Sequence, residues 1–363
     1  MTTPIIWIKT GIRRKSMNKV AIVTIISKNY GNRLQNFALQ EALINLGNQV
    51  RTISAYPYHI IRRNIKYFSK KALNILTSQY PDVVWDEFDK KIKWGQAVIT
   101  DKKIADKYDY FIAGSDQIWN PTFHVTSDRE LLTFAPPEKR IAYGASIGLD
   151  KFPDEYSQQY IDEWKKFKKI SVREVQASEI IYDMTQILSP VVLDPTFLLT
   201  KNDWIQYIDK KPDSEKYYAK YFLGKRSDFA EEYIMKRAKE DNIKCIDITN
   251  EDGSLKPGIG PLEFLNILYN SECVFTNSFH GTVFSIIFEK PFVVFQRPYE
   301  NGYGDMNSRI DALVDLFNLR EHFATRKSDL EKISMNFDRI KTKQILDIKR
   351  TESIDFLKNA LSK

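Results

Sequence analysis

Two cysteines and four histidines are all the thiols and imidazoles in this chain of 363 residues. Cys245 and Cys273 each sit in a short apolar stretch. That predicts buried, reduced thiols and excludes a disulfide framework. A zinc site needs clustered ligands, and none is spaced that way. No apolar run approaches the ~20 residues of a membrane-spanning helix. The phosphate loops GxGxxG and GxxxxGK[ST] are absent, as are HExxH, GxSxG and CxxC. Nothing resembles a zinc finger, a helix-turn-helix or an RNP motif, so no nucleic-acid partner is expected. Residues 1–16 are basic and partly apolar but lack the apolar core of a signal peptide. Met17 directly precedes a clean strand, so residues 1–16 read as an N-terminal extension. The expected location is cytoplasmic, with a peripheral place at the inner face of the membrane as a further expectation.

What is present suits a sizeable enzyme. Hydrophobic residues make up 43% of the chain and aromatics 13%, enough for real cores. The length fits two domains. The net charge of +7 suits an acidic ligand, an anionic surface or nucleic acid, without choosing among them.

Along the chain the pattern alternates between strand and helix. Residues 20–26 form a continuous apolar run, as in a strand buried on both faces. A polar loop (27–32), a helix (33–46) and a strand (50–54) complete a βαβ unit, which is right-handed by rule. Strands are predicted at 110–113, 141–146, 170–173 and 191–193. A second series has strands at 217–223, 243–248, 273–276 and 292–295, with helices between them. This implies two α/β domains facing a cleft, at 17–200 and 201–363. A basic insertion at 56–108 reads as helices. Within it, residues 59–76 pattern as an amphipathic helix able to lie on an anionic membrane or to pack on its own domain.

In open parallel sheets, ligands bind at the carboxyl ends of strands. That rule selects the loops at 27–32, 114–121, 146–148, 173–174 and 277–281. In the last, His280 and Gly281 open a helix, where free N–H groups favour an anion. Gly281 would let that anion approach the backbone, and His280 is placed for proton transfer or for capping alone. Arg173 can grip a phosphate or carboxylate, or pair with Glu174. Asp116 can take a proton from a sugar hydroxyl, Gln117 can orient that hydroxyl and Trp119 can stack on the sugar. Alternatively, Asp116 forms its own turn and Trp119 fills the core. Asn29, before a helix, is a weaker candidate.

Together these loops resemble the polysaccharide pyruvyl transferase family. The resemblance rests on Asn29-Tyr-Gly-Asn-Arg-Leu-Gln-Asn36, the run from Asp109 to Pro121 containing Gly-Ser-Asp-Gln-Ile-Trp, and Ile141-Ala-Tyr-Gly-Ala-Ser-Ile-Gly148. It continues in Ile170-Ser-Val-Arg-Glu174, Leu193-Asp-Pro195 and Thr276-Asn-Ser-Phe-His-Gly-Thr-Val-Phe284. It implies a GT-B-like fold of two Rossmann-like domains, with a C-terminal helix crossing back. It also implies phosphoenolpyruvate as donor and a sugar diol as acceptor, with lipid-linked sugars among the acceptors. The product would be a pyruvate ketal on a surface glycan. No cofactor or metal is expected beyond phosphoenolpyruvate as co-substrate. Many members carry Arg-Leu-His where this chain has Ser278-Phe279-His280. The histidine carries over and the arginine does not, so anion contacts fall to Arg173, Arg297, Arg309 or backbone N–H groups. The resemblance thus implies catalytic roles for His280 and Asp116. It implies donor contacts from Arg173, Asn277, Ser278, Gly281, Arg297 and Arg309, and acceptor contacts from Asn29, Gln117, Trp119 and Ser146. A nucleotide-sugar glycosyltransferase and a non-catalytic glycan-binding protein remain as alternatives.

Overall fold

The computed structural model describes residues 17–54, 83–98, 103–123, 128–208, 215–297 and 307–362. The proposed extension at 1–16 and the amphipathic segment at 59–76 lie outside the described residues.

The first sheet contains β1 (Lys19–Val23), β2 (Gln49–Ser54), β3 (Trp94–Val98), β4 (Tyr110–Gly114), β5 (Arg140–Ala145) and β6 (Lys169–Val172). All pairs are parallel, in the order β3-β2-β1-β4-β5-β6. Every residue of β4 and β5 is buried, which explains the apolar runs at 110–114 and 141–145; Arg140, at the start of β5, pairs with Glu163. The second sheet runs β8 (Lys244–Asp247), β7 (Tyr217–Tyr221), β9 (Cys273–Thr276), β10 (Phe292–Phe295), β11 (Phe323–Ala324), again all parallel. Both are doubly wound orders, and each reverses direction once: between β1 and β4, and between β7 and β9. Two Rossmann-like domains in a GT-B-like arrangement are therefore present, as expected.

Three local expectations need correction. The insertion at 56–108 contains β3, because Trp94 and Val98 pair with Thr52 and Ser54 across a register shift. A short, lysine-flanked edge strand carries too little alternation to be read from sequence. Residues 191–193 do not form a strand; Val191 makes only an isolated bridge to Val172. The first helix, α1 (Tyr30–Asn45), begins three residues early because Asn29 caps it, its side chain accepting from the Asn32 N–H.

A continuous apolar layer joins the domains. Tyr30 of α1 stacks on Trp85 of α2 (Val83–Asp89) and on Phe264 of α6 (Pro261–Asn270), with ring centroids 5.3 and 4.8 Å apart. Leu34 and Phe37 share this core with Val283 and Phe284. Burial of such side chains stabilises by roughly 1.5–3 kcal/mol each. Between α2 and α6 the chain adds α3 (Asp154–Trp164), α4 (Val175–Thr185) and α5 (Asp228–Glu240) around the sheets. After α6 come α7 (Phe279–Phe288), α8 (Ser308–Leu316) and α9 (Arg339–Ala360). Helix α9 crosses back, as the resemblance implies. Its Leu357 and Ala360, with Leu361, pack on Val20, Ile22 and Tyr143 of the first domain. The Arg350 Nε donates to the Phe197 carbonyl at 2.7 Å. Among the described residues no helix is long and apolar enough to cross a membrane.

Candidate functional site

The two carboxyl-terminal sheet ends meet at one point, built around a carboxylate that sequence reasoning did not select. Asp194 is wholly buried. Its Oδ1 accepts from the Thr196 N–H (3.0 Å) and the Thr196 hydroxyl (2.6 Å). Its Oδ2 accepts from Arg173 Nη1 at 2.6 Å and from Ser115 Oγ at 3.2 Å. His280 Nε2 stands 3.6 Å from that same oxygen. Burial alone would push the Asp194 carboxyl up. The His280 and Arg173 partners and the Thr196 hydroxyl outweigh it and hold the group well below the usual carboxylate range. Asp194 therefore stays ionised.

Arg173 follows β6 and comes to rest under the second domain. Its guanidinium lies 4.5 Å from the Phe279 ring centroid, a cation–π contact across the domain boundary. The expected pairing with Glu174 is present only at 3.9 Å, and Asp116 is 3.8 Å away. Nε and Nη2 of Arg173 are buried with no hydrogen-bond partner among the described residues. Burial opposes the charge, but Asp194, Asp116 and Glu174 hold it in place.

Asp116 sits after β4 with φ of +63°, a conformation Asp tolerates better than most residues. Its carboxylate accepts from the Gln117 N–H (2.9 Å) and from Asn32 Nδ2 (3.2 Å). Burial raises its pKa, yet Arg173, His280, Arg309 and Asn32 together keep it below its ordinary value. Asp116 is thus an anion here and suits a base better than an acid. Ser146 donates its N–H to the Asp116 carbonyl (2.9 Å), while its hydroxyl is buried without a partner among the described residues. The same holds for the Gln117 Nε2.

From the second domain, α7 presents His280 in its first turn. The Ser278 side chain caps the helix by accepting from the Gly281 N–H at 3.4 Å. The Phe279 and His280 N–H groups take no partner among the described residues, as the first turn of a helix requires. Arg309, in the first turn of α8, is buried, and its Nε has no hydrogen-bond partner among the described residues. Burial, together with the nearby Arg173 and Arg297 charges, pulls Arg309 down to about 10. Arg297 follows β10, its N–H donating to Asn307 Oδ1 at 2.9 Å.

Several expected roles change. Trp119 is fully buried and donates its indole N–H to the Glu130 carbonyl at 3.2 Å. It packs on Trp164 and Phe167 and cannot stack on a sugar. The Asn277 amide clamps Leu223, accepting from its N–H at 2.7 Å and donating to its carbonyl at 3.0 Å, so it anchors the loop after β7 rather than a donor. At Gly281 an added Cβ would lie 2.3 Å from Thr276 Oγ1, so packing against β9, not anion access, requires glycine there. Asn29 caps α1 at the half-buried rim.

Two grooves, of about 340 and 380 Å³, open beside the amino-terminal ends of β6 and of β7 and β8. The polar cluster is therefore a separate site, at the ends where doubly wound sheets bind ligands.

The sequence profile of the polysaccharide pyruvyl transferase family matches residues 29–297. The chain belongs to this family. The match takes in Asp116, Arg173, Asp194 and His280, and Arg309 lies beyond it. No curated protein matches the chain. In fold, this polysaccharide pyruvyl transferase family member is similar to S. aureus MnaA solved with UDP, at 13% identity and a TM-score of 0.46, covering 93% of this chain and 98% of that one. It is also similar to a putative UDP-N-acetylglucosamine 2-epimerase of Listeria monocytogenes (12%, TM-score 0.47, 92% and 95% covered). A third likeness is to the glycosyltransferase SnogD of Streptomyces nogalater (11%, TM-score 0.46, 95% and 100% covered). Likenesses this distant say nothing about ligand or reaction.

Proposed function

We propose that the chain transfers a pyruvyl group from phosphoenolpyruvate to two hydroxyls of a sugar, forming a cyclic ketal and releasing phosphate. The observation that carries this reading is the pairing of Arg173 and Arg309. Both are buried, both keep guanidinium nitrogens without a hydrogen-bond partner among the described residues, and each charge raises the cost of the other. Such an arrangement favours a ligand bearing concentrated negative charge. Phosphoenolpyruvate carries a phosphate and a carboxylate on adjacent positions, which matches two guanidinium groups and the free N–H groups of α7.

In this reading His280 delivers a proton to the methylene carbon, making a methyl group and an oxocarbenium-like carbon. The first sugar hydroxyl attacks that carbon and loses its proton to Asp116. The bond from carbon to phosphate oxygen then breaks, and the second hydroxyl closes the ring as it too loses its proton. One of the two hydroxyl protons replaces the one given to the methylene, and the other leaves on hydrogen phosphate. Gln117 and Ser146, with unpaired polar atoms beside Asp116, would orient the hydroxyls. A lipid-linked acceptor and peripheral membrane contact through residues 59–76 belong to the same proposal.

A thermal-shift screen tests the donor. A ligand that binds only the folded state raises Tm in proportion to the logarithm of its excess over Kd. Phosphoenolpyruvate should stabilise the protein more than phosphate or pyruvate does. Stabilisation by nucleotide sugars, with no effect of phosphoenolpyruvate, would overturn the reading.

A further inference from the structure

Asp194 takes part in none of the steps above, yet it is the most heavily partnered carboxylate at the site. Its Oδ1 is fixed by the Thr196 N–H and hydroxyl at 3.0 and 2.6 Å, so it has no rotational freedom. That leaves Oδ2 aimed between the domains, bonded to Arg173 Nη1 at 2.6 Å and facing His280 Nε2 at 3.6 Å. The Nε2 atom is buried and without a hydrogen-bond partner among the described residues. An approach of a few tenths of an ångström completes that bond, and donor–acceptor contacts of this kind often run long before a ligand binds. The opposite edge of the ring lies over Gly31 in the first turn of α1, where an added Cβ would fall 1.9 Å from Nδ1.

We propose that Asp194 is the positioning residue of the site: one buried carboxylate holds the Arg173 guanidinium and fixes the His280 imidazole with its neutral-state proton on Nε2. Nδ1, on the side of the first turn of α1, is then the nitrogen that exchanges protons. Arg173 and Asp194 come from the first domain and His280 from the second. The same anion therefore aligns the anion-binding arginine with the proton carrier across the domain boundary.

The groups facing the ring are known from each side. Asp194 Oδ2 faces Nε2 at 3.6 Å, and the Asp116 carboxylate interacts with the ring electrostatically. Arg173 lies beside the same Asp194 oxygen, and Arg309 acts on Asp116 from α8. The N-terminus of α1 and the Phe279 ring, 5.2 Å from the imidazole centroid, complete the surroundings.

The proposal rests on His280 as proton carrier, but its test does not depend on the donor. Heteronuclear NMR of the full chain, with ring signals assigned through His280→Gln, reads the tautomer of His280 directly. Only His59, His124 and His322 share that spectral region. In wild type the neutral ring should carry its proton on Nε2. In Asp194→Asn the amide oxygen takes the Thr196 bonds and the NH2 faces the ring, so the neutral ring should shift to the Nδ1–H form. A wild-type ring in the Nδ1–H form overturns the proposal, and needs no Asp194 variant to fold. So does an Nε2–H ring in a folded Asp194→Asn protein. If phosphoenolpyruvate proves not to be the donor while these NMR results hold, the positioning role stands and only the substrate assignment falls.

Discussion

The His280 imidazole occupies the space that a side chain on Gly31 would fill, with Nδ1 1.9 Å and Cγ 2.3 Å from the ideal Cβ position. This contact joins the first turn of α1 to the first turn of α7, and so joins the two domains at the site. Glycine costs a helix ~1 kcal/mol relative to alanine, so Gly31→Ala should help α1 on propensity alone. The overlap instead forces the ring to move. A displacement of about 1 Å at a reacting group can lower the rate by roughly 10²-fold. We expect Gly31→Ala to lose turnover by about that factor while its circular dichroism stays native.

Arg173 serves stability as well as binding. Its removal leaves Asp194 buried without its main countercharge, and breaking a buried pair costs about 3–5 kcal/mol. Arg173→Ala should therefore unfold at a lower urea concentration than wild type, whatever its activity. Equal urea midpoints for the two proteins would show that the pair is not an energetic anchor.

The acidic side of the stability profile follows from Asp194 and Asp116. Both folded-state pKa values are depressed. Such groups contribute stability above the unfolded carboxylate value of about 4, and lose it as pH falls through the folded values. Melting temperatures should be insensitive to these two groups near neutrality and fall below about pH 4. Asp194→Asn should flatten that acidic limb.

Trp119 offers a contrast between core and site. Trp119→Ala should cost roughly 3–5 kcal/mol, as for other large buried aromatics. Trp119→Phe should keep the acceptor KM of wild type, because the ring faces Trp164 and Phe167 rather than a ligand. A large KM change in Trp119→Phe at unchanged stability would return it to the acceptor site.

Much of this organisation is legible in the residues. The unbroken apolar runs of β1, β4 and β9 announce parallel strands, and the loops after them hold Asp116 and His280. The rest depends on contacts that no local pattern encodes. Asp194 reads as the end of a strand before a proline, since nothing nearby shows that Arg173 and His280 converge on it. Trp119 and Asn277 carry side chains suited to ligands, but the fold turns one into the core and uses the other to clamp Leu223. β3 escaped because its pairing with β2, not its own sequence, makes it a strand.

Arg309 is the buried cation with most to gain from an anionic donor. Burial and the neighbouring arginines depress its pKa to about 10, so its charge is a liability to the unliganded protein at neutral pH. Arg309→Met should melt at or above the wild-type temperature, since apolar replacements of buried charges are often neutral or stabilising. The deciding measurement is calorimetric titration of phosphoenolpyruvate into wild type and Arg309→Met. A charge-assisted hydrogen bond contributes about 1.5–3 kcal/mol, so binding should weaken by roughly 10- to 100-fold in a variant that remains folded. Equal affinity in the two proteins, or no binding to wild type while a nucleotide sugar binds, would contradict the account.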